Sequence, residues 1–213
     1  MNIAIFGATG WIGGTVTREA LHRGHEVTAV VRDPGRLELE HSRLAVVIGD
    51  ATDTDVIATA VAGHQAVVAS IGGSREGNHS VVPAAAQALL AGLSQAGVKR
   101  LVWVGGAGSL EVAPGVRLID TPQFPDDWKA GASAQVEALE VFRTYTGSVE
   151  WTYLSPAARL EPGTRTGRYR TGGDQLLTDD EKQSRISVED YAVAFIDELE
   201  RPAHLRQRFT VAY

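Results

Sequence analysis

A short apolar run over residues 2–6 meets glycines at Gly7, Gly10 and Gly13. No other feature constrains the chain as much, because it fixes a strand, a tight turn and a helix start in immediate succession. The helix behind the turn is marked by Ile12, Val16, Ala20 and Leu21, which recur at the spacing of one helical face. Arg23-Gly24-His25 stops it, with Gly24 as the expected C-cap.

The same alternation continues to the end of the chain. Strands are predicted over 26–31, 44–48, 65–70, 100–104, 150–154 and 208–212. Helices are predicted over 53–61, 81–96, 130–146 and 188–200. Thr52 or Asp53 caps the first of these, Gly97 and Gly147 close the next two, and Ser187 caps the last. The fourth strand runs into Gly72-Gly73-Ser74. Residues 110–127 carry Pro114, Pro122 and Pro125 and read as a loop; 161–178 read as turns with a short hairpin.

Strands separated by helix-length segments imply a mostly parallel, doubly wound α/β sheet with helices on both faces, the Rossmann architecture. Strands of such a sheet are buried on both faces, as the runs at 3–6, 45–48 and 66–69 suggest. Without repeats or a low-complexity linker, residues 1–213 read as one domain. Its substrate-side segments are expected within 110–128 and 156–187.

Composition narrows the functions. Twenty Lys and Arg stand against 26 Asp and Glu, a net charge of −6, which argues against nucleic acid as a partner. No stretch is long and apolar enough for a membrane span, and the N-terminus has no signal-peptide pattern, so the expected compartment is the cytoplasm. The absence of cysteine removes thiolate chemistry and Cys-ligated metals. His22 and His25 have no carboxylate partners at metal-ligand spacing, so no metal is expected. Monomer and dimer are both compatible with the sequence.

The turn Gly7-Ala8-Thr9-Gly10-Trp11-Ile12-Gly13 carries the clearest chemistry. Gly7 permits the tight turn, Gly10 lets a pyrophosphate reach backbone N–H groups at a positive helix end, and Gly13 lets helix and strand pack closely. After the second strand, where an acidic residue would take the ribose of NAD, stand Arg32 and, four residues on, Arg36. Guanidinium groups match a 2′-phosphate, so NADP(H) is preferred over NAD(H), unless Asp33 points inward. Asp50-Ala51 after the third strand is placed for the adenine amine, or to cap the next helix. Ser70-Ile71-Gly72 after the fourth is placed under the nicotinamide half, or forms a plain turn.

These residues, with Gly105-Gly106-Ala107-Gly108-Ser109 and Ile186-Ser187-x-x-Asp190-x-Ala192, resemble the atypical short-chain dehydrogenase/reductases. Trp151-Thr152-Tyr153-Leu154-Ser155-Pro156 and Gly163-x-Arg165-Thr166-Gly167-x-Tyr169-Arg170 bring the chain nearer the small NAD(P)H-binding proteins grouped with NADH–flavin reductases and biliverdin-IXβ reductase. The resemblance spans essentially the whole chain. It implies Ser109 beside the nicotinamide and Pro156 near its carboxamide. Lys129 is placed for the nicotinamide ribose, or is solvated. Trp128 offers a flat face for an acceptor, or caps the core; Arg165, Arg168 and Arg170 offer cations to an anionic acceptor, or are solvated.

The Tyr-x-x-x-Lys pair common to short-chain dehydrogenases is missing. Gln95, Pro125 and Thr178 stand four residues before Lys99, Lys129 and Lys182. Without that proton relay, alcohol–ketone chemistry is disfavoured. The expected function is hydride transfer from NAD(P)H to a flat redox-active acceptor of flavin, quinone or tetrapyrrole type. The alternative is a non-catalytic NAD(P)(H)-binding sensor of the NmrA type. An isomerase or epimerase lacks an acid–base pair here, and with no GxSxG a hydrolase elbow is also absent.

Overall fold

The first strand, β1 (Asn2–Phe6), is apolar and buried, and Gly7 at φ +82° turns the chain out of it. Helix α1 (Trp11–His22) follows and buries Val16, Ala20 and Leu21. It ends at Arg23, and Gly24 at φ +87° takes the left-handed conformation that releases the chain, one residue beyond the cap itself. The computed structural model describes residues 1–73 and 77–213, so Ser74 of the predicted Gly72-Gly73-Ser74 loop lies outside the described residues.

The chain continues through β2 (Glu26–Val31), β3 (Leu44–Ile48), α2 (Thr54–Val61), β4 (Ala66–Ala69), α3 (Val81–Ala96) and β5 (Arg100–Val104). Asp53 caps α2 by accepting from the N–H groups of Asp55 and Val56. Next come the short strands β6 (Glu111–Ala113) and β7 (Val116–Arg117), then α4 (Asp126–Thr144) and β8 (Glu150–Ser155). The last elements are β9 (Arg159–Glu161), β10 (Arg170–Gly172), β11 (Arg185–Ser187), α5 (Val188–Glu200) and β12 (Gln207–Ala212). Ser187 caps α5 as expected, its hydroxyl accepting from Asp190 N at 3.0 Å.

The main sheet has eight strands in the order β10-β12-β8-β5-β4-β1-β2-β3, all parallel except β10, which runs antiparallel to β12. This is the doubly wound Rossmann-type arrangement. Helices α1 and α5 cover one face and α2, α3 and α4 the other, each with its own apolar core. Among the described residues no helix is long and apolar enough to cross a membrane.

Four local expectations are corrected. The apolar run of β3 is not buried: it is the edge strand, bonded to β2 alone, and Ile48 is 69% exposed. Residues 110–127 are not a plain loop. They form a β6–β7 hairpin turning at Gly115 (φ +74°), then a single 3-10 turn at Leu118–Asp120. Helix α4 begins four residues earlier than predicted, because Pro125 serves as its cap and Asp126 and Asp127 suit the positive first turn. Finally, 161–178 make no hairpin of their own, since β9 pairs with β11 and β10 with β12.

Candidate functional site

The order of the sheet reverses between β1 and β4, and a cleft of about 450 Å³ opens there across the carboxyl ends of β1 to β5. Its centre is the start of α1. Gly10 occupies the cap position with no side chain bonded to the open N–H groups, and the first turn has no acidic residue. These donors and the helix dipole make an anion site. The three glycines have different reasons. A β-carbon on Gly7 would lie 2.0 Å from the Ser70 carbonyl oxygen, and one on Gly13 would lie 2.1 Å from the Gly7 carbonyl oxygen. The fold itself therefore excludes side chains at both. At Gly10 the nearest atom, the Gly7 carbonyl oxygen, would be 3.3 Å away, a tight contact that demands a small shift where the other two positions would suffer a collision.

At one end of the cleft stand Arg32, Arg36, Asp50 and Ala51. Asp33 does not line the cleft. Its Oδ1 accepts from Gly35 N at 3.0 Å and caps the short Pro34–Arg36 turn that carries Arg36 to the cleft wall. Asp50 accepts from Thr52 N at 2.8 Å and Thr52 Oγ1 at 2.7 Å. Those bonds, with the nearby Arg32 charge, hold its carboxyl below the usual carboxylate range. This end is therefore cationic at its rim, with one ionised carboxylate.

At the other end are Ser70, Ile71, Gly72, Val104, Gly105 and Gln135. Thr9, Trp11 and Ile12 line the middle, whereas Gly13 and Pro156 do not reach the cleft surface. Gln135 was not legible as a site residue. It lies on α4 seven residues after Trp128, so helical periodicity from that tryptophan was the one signal pointing to it.

The residues expected on the substrate side are more scattered. Ser109 and Lys129 do not line the cleft. Ser109 is buried and its hydroxyl accepts from Arg208 Nη1 at 3.3 Å. Lys129 is exposed and pairs with Asp126 at 2.7 Å. Trp128, in the first turn of α4, is 63% exposed and also stands off the cleft. Arg165 is engaged by Glu19 on α1, Arg170 bonds the carbonyls of Thr178 and Tyr213, and neither lines the cleft. The β6–β7 hairpin is tied to the later segment by Glu111 N to Asp174 O at 2.9 Å and Leu176 N to Glu111 O at 2.8 Å.

Among the described residues, the tyrosine nearest the Gln135 end of the cleft is Tyr153, which bonds Gln135 and Gly106. Burial pushes the Tyr153 phenol well above its ordinary range, against the smaller pull of the Gly106 N–H and of Arg208. Burial therefore holds it protonated, and its hydroxyl accepts from Gly106 N and donates to the Gln135 carbonyl.

A model of a family described as NAD(P)H-binding matches residues 7–199. Three solved structures are similar over the full length, each with a name qualified as "putative". One, named an exported protein, from Burkholderia pseudomallei, is 46% identical, with 100% of both chains covered and a TM-score of 0.90. One, named an epimerase, from Bacteroides thetaiotaomicron, is 40% identical, with 100% of this chain and 96% of that one covered and a TM-score of 0.91. One, named an NADH-flavin reductase, from Streptococcus pneumoniae, is 31% identical, with 100% and 99% covered and a TM-score of 0.88.

Proposed function

Since the chain belongs to the NAD(P)H-binding family, of atypical short-chain dehydrogenase/reductase type, we propose that it is a reductase passing hydride from NADPH to a flat redox-active acceptor of flavin, quinone or tetrapyrrole type. The observation that carries the reading is the uncapped start of α1 facing the cleft, with a glycine at its cap position.

The residues present fit the dinucleotide. Backbone N–H groups from Gly10 to Ile12 meet the pyrophosphate. Arg32 and Arg36 meet the 2′-phosphate and give the preference for NADP(H) over NAD(H), with Asp33 turned into its own loop. Asp50-Ala51 borders the adenine, and Ser70-Ile71-Gly72 runs beneath the nicotinamide half, with Pro156 behind it. Bound NADPH supplies the hydride.

The acceptor would then sit outside the cleft, beyond its Gln135 end, toward the segments within 110–128 and 156–187 of this single domain, which backbone hydrogen bonds of Glu111 with Asp174 and Leu176 join to each other. Trp128 offers the ring on which a planar acceptor stacks. Ser109, which accepts from Arg208, and Lys129, which pairs with Asp126, remain the polar groups assigned to it in this reading. The acceptor is a small molecule met in the cytoplasm. Positioning of donor and acceptor carries the rate in this reading.

Calorimetric titration tests the reading. The expected result is tighter binding of NADPH than of NADH, abolished in Gly10→Val. Undiminished NADPH affinity in folded Gly10→Val would overturn it.

A further inference from the structure

Gln135 closes the β4–β5 end of the cleft, and its amide is held from three sides. Trp103 Nε1 donates to its Oε1 at 3.1 Å. The Tyr153 hydroxyl donates to the Gln135 main-chain carbonyl at 2.8 Å and lies 3.2 Å from Oε1. Its own Nε2 donates to the Ile71 carbonyl at 3.1 Å. An indole N–H only donates and a peptide carbonyl only accepts, so the amide has one orientation: oxygen toward the core, nitrogen toward Ile71. Trp103 and Tyr153 are fully buried on β5 and β8, which makes the anchor rigid.

One half-buried side chain therefore joins the loop after β4 to β5, β8 and α4. Among the described residues it is the one residue of α4 that lines the cleft. Its Nε2 carries two N–H groups, of which the Ile71 carbonyl takes one. The arginines Arg32 and Arg36 mark the opposite end of the cleft as the adenosine side. The second nucleoside of a dinucleotide then falls at Gln135.

We propose that Gln135 is the positioning residue for the nicotinamide end, fixing the Ile71 loop beneath the ring and offering its remaining N–H to the ring's carboxamide oxygen. This rests on the dinucleotide reading of the cleft. Gln135 acts through geometry and takes no proton from the reaction.

The test compares NADPH with 2′-phospho-ADP-ribose, which ends before the nicotinamide. Gln135→Glu keeps the size and the acceptor for Trp103 but puts an oxygen against the Ile71 carbonyl. Ionised, that oxygen repels the carbonyl; protonated, it donates an O–H. The variant should therefore gain a pH dependence over about pH 5 to 8, because partial burial raises a carboxyl into that range. Gln135→Met removes the donor at every pH and stands in should the acidic variant fail to fold, as judged by thermal melts. Both variants should lose roughly fivefold to tenfold in NADPH affinity at the alkaline end while 2′-phospho-ADP-ribose binds as before. Only Gln135→Glu should recover as the pH falls. Equal losses for both ligands, or no loss for either, would overturn the assignment of Gln135 while leaving the dinucleotide reading intact. If the wild-type protein binds neither these ligands nor NADH, the dinucleotide reading fails and Gln135 with it.

Discussion

The Arg165 guanidinium holds the Glu19 carboxylate through two hydrogen bonds of 2.8 Å, from Nε and Nη2, and so ties the segment after β9 to helix α1. Arg23 adds a third bond to Glu19 at 2.7 Å. Burial alone would raise the Glu19 carboxyl, but the two arginines overcome it and hold it below its ordinary value of 4.5. A depressed carboxylate contributes stability that is complete above the ordinary value and lost as the pH falls through the lowered one. Arg165→Ala should therefore cost about 0.5–1.5 kcal/mol near neutral pH, since Arg165 is half exposed and Arg23 still pairs with Glu19, and the gap to the wild type should close in acid below about pH 4. Urea melts across that range check it. Unchanged stability with weakened acceptor binding would instead assign Arg165 to the acceptor.

The glycines of the first turn should separate by mechanism. Gly13→Val collides with the Gly7 carbonyl and should unfold or severely destabilise the protein. Gly10→Val meets a tight 3.3 Å contact at the cap position and should lower stability only by about 1 kcal/mol while losing NADPH binding. Paired melting and titration experiments read both.

Arg32 lines the cleft on the side where the second strand ends. Charge-assisted hydrogen bonds contribute about 1.5–3 kcal/mol each, so Arg32→Ala should lower NADPH affinity roughly tenfold to a hundredfold. NADH affinity should barely move. Equal losses for the two cofactors would reject the 2′-phosphate assignment.

Tyr153 sits within reach of the cleft's inner end yet is held protonated by burial. Tyr153→Phe should leave the shape of the pH–rate profile unchanged between about pH 6 and 9 and lower stability by about 1 kcal/mol for the bonds lost at Gln135 and Gly106. A limb of the profile that vanishes in the variant would make this phenol a proton donor.

The parts of the site that were legible in the sequence are those fixed by neighbours in the chain. Gly7 and Gly13 answer to one tight turn, Asp53 and Ser187 to the helices they cap, and Arg32 to the strand it follows. Where partners are distant, the signal fades. Nothing in Leu44–Ile48 distinguishes an edge strand from a central one, because both read as unbroken apolar runs. Pro125-Asp126-Asp127 reads as loop by residue type, although proline and acids also suit a helix start. The role of Gln135 depends on Ile71, Trp103 and Tyr153, which only the folded sheet brings together. Arg165 reads as a cation for a ligand until Glu19, far away in sequence, takes it.

The reductase reading stands or falls on turnover. The decisive measurement is the steady-state rate of NADPH oxidation with flavins, quinones and linear tetrapyrroles, for the wild type and for Trp128→Ala. Catalysis predicts that at least one such acceptor raises oxidation well above background. It also predicts that Trp128→Ala lowers kcat/KM for that acceptor while NADPH affinity is unchanged. Tight NADPH binding with no acceptor-dependent oxidation, and no effect of Trp128→Ala beyond stability, would contradict it and leave a nucleotide sensor in its place.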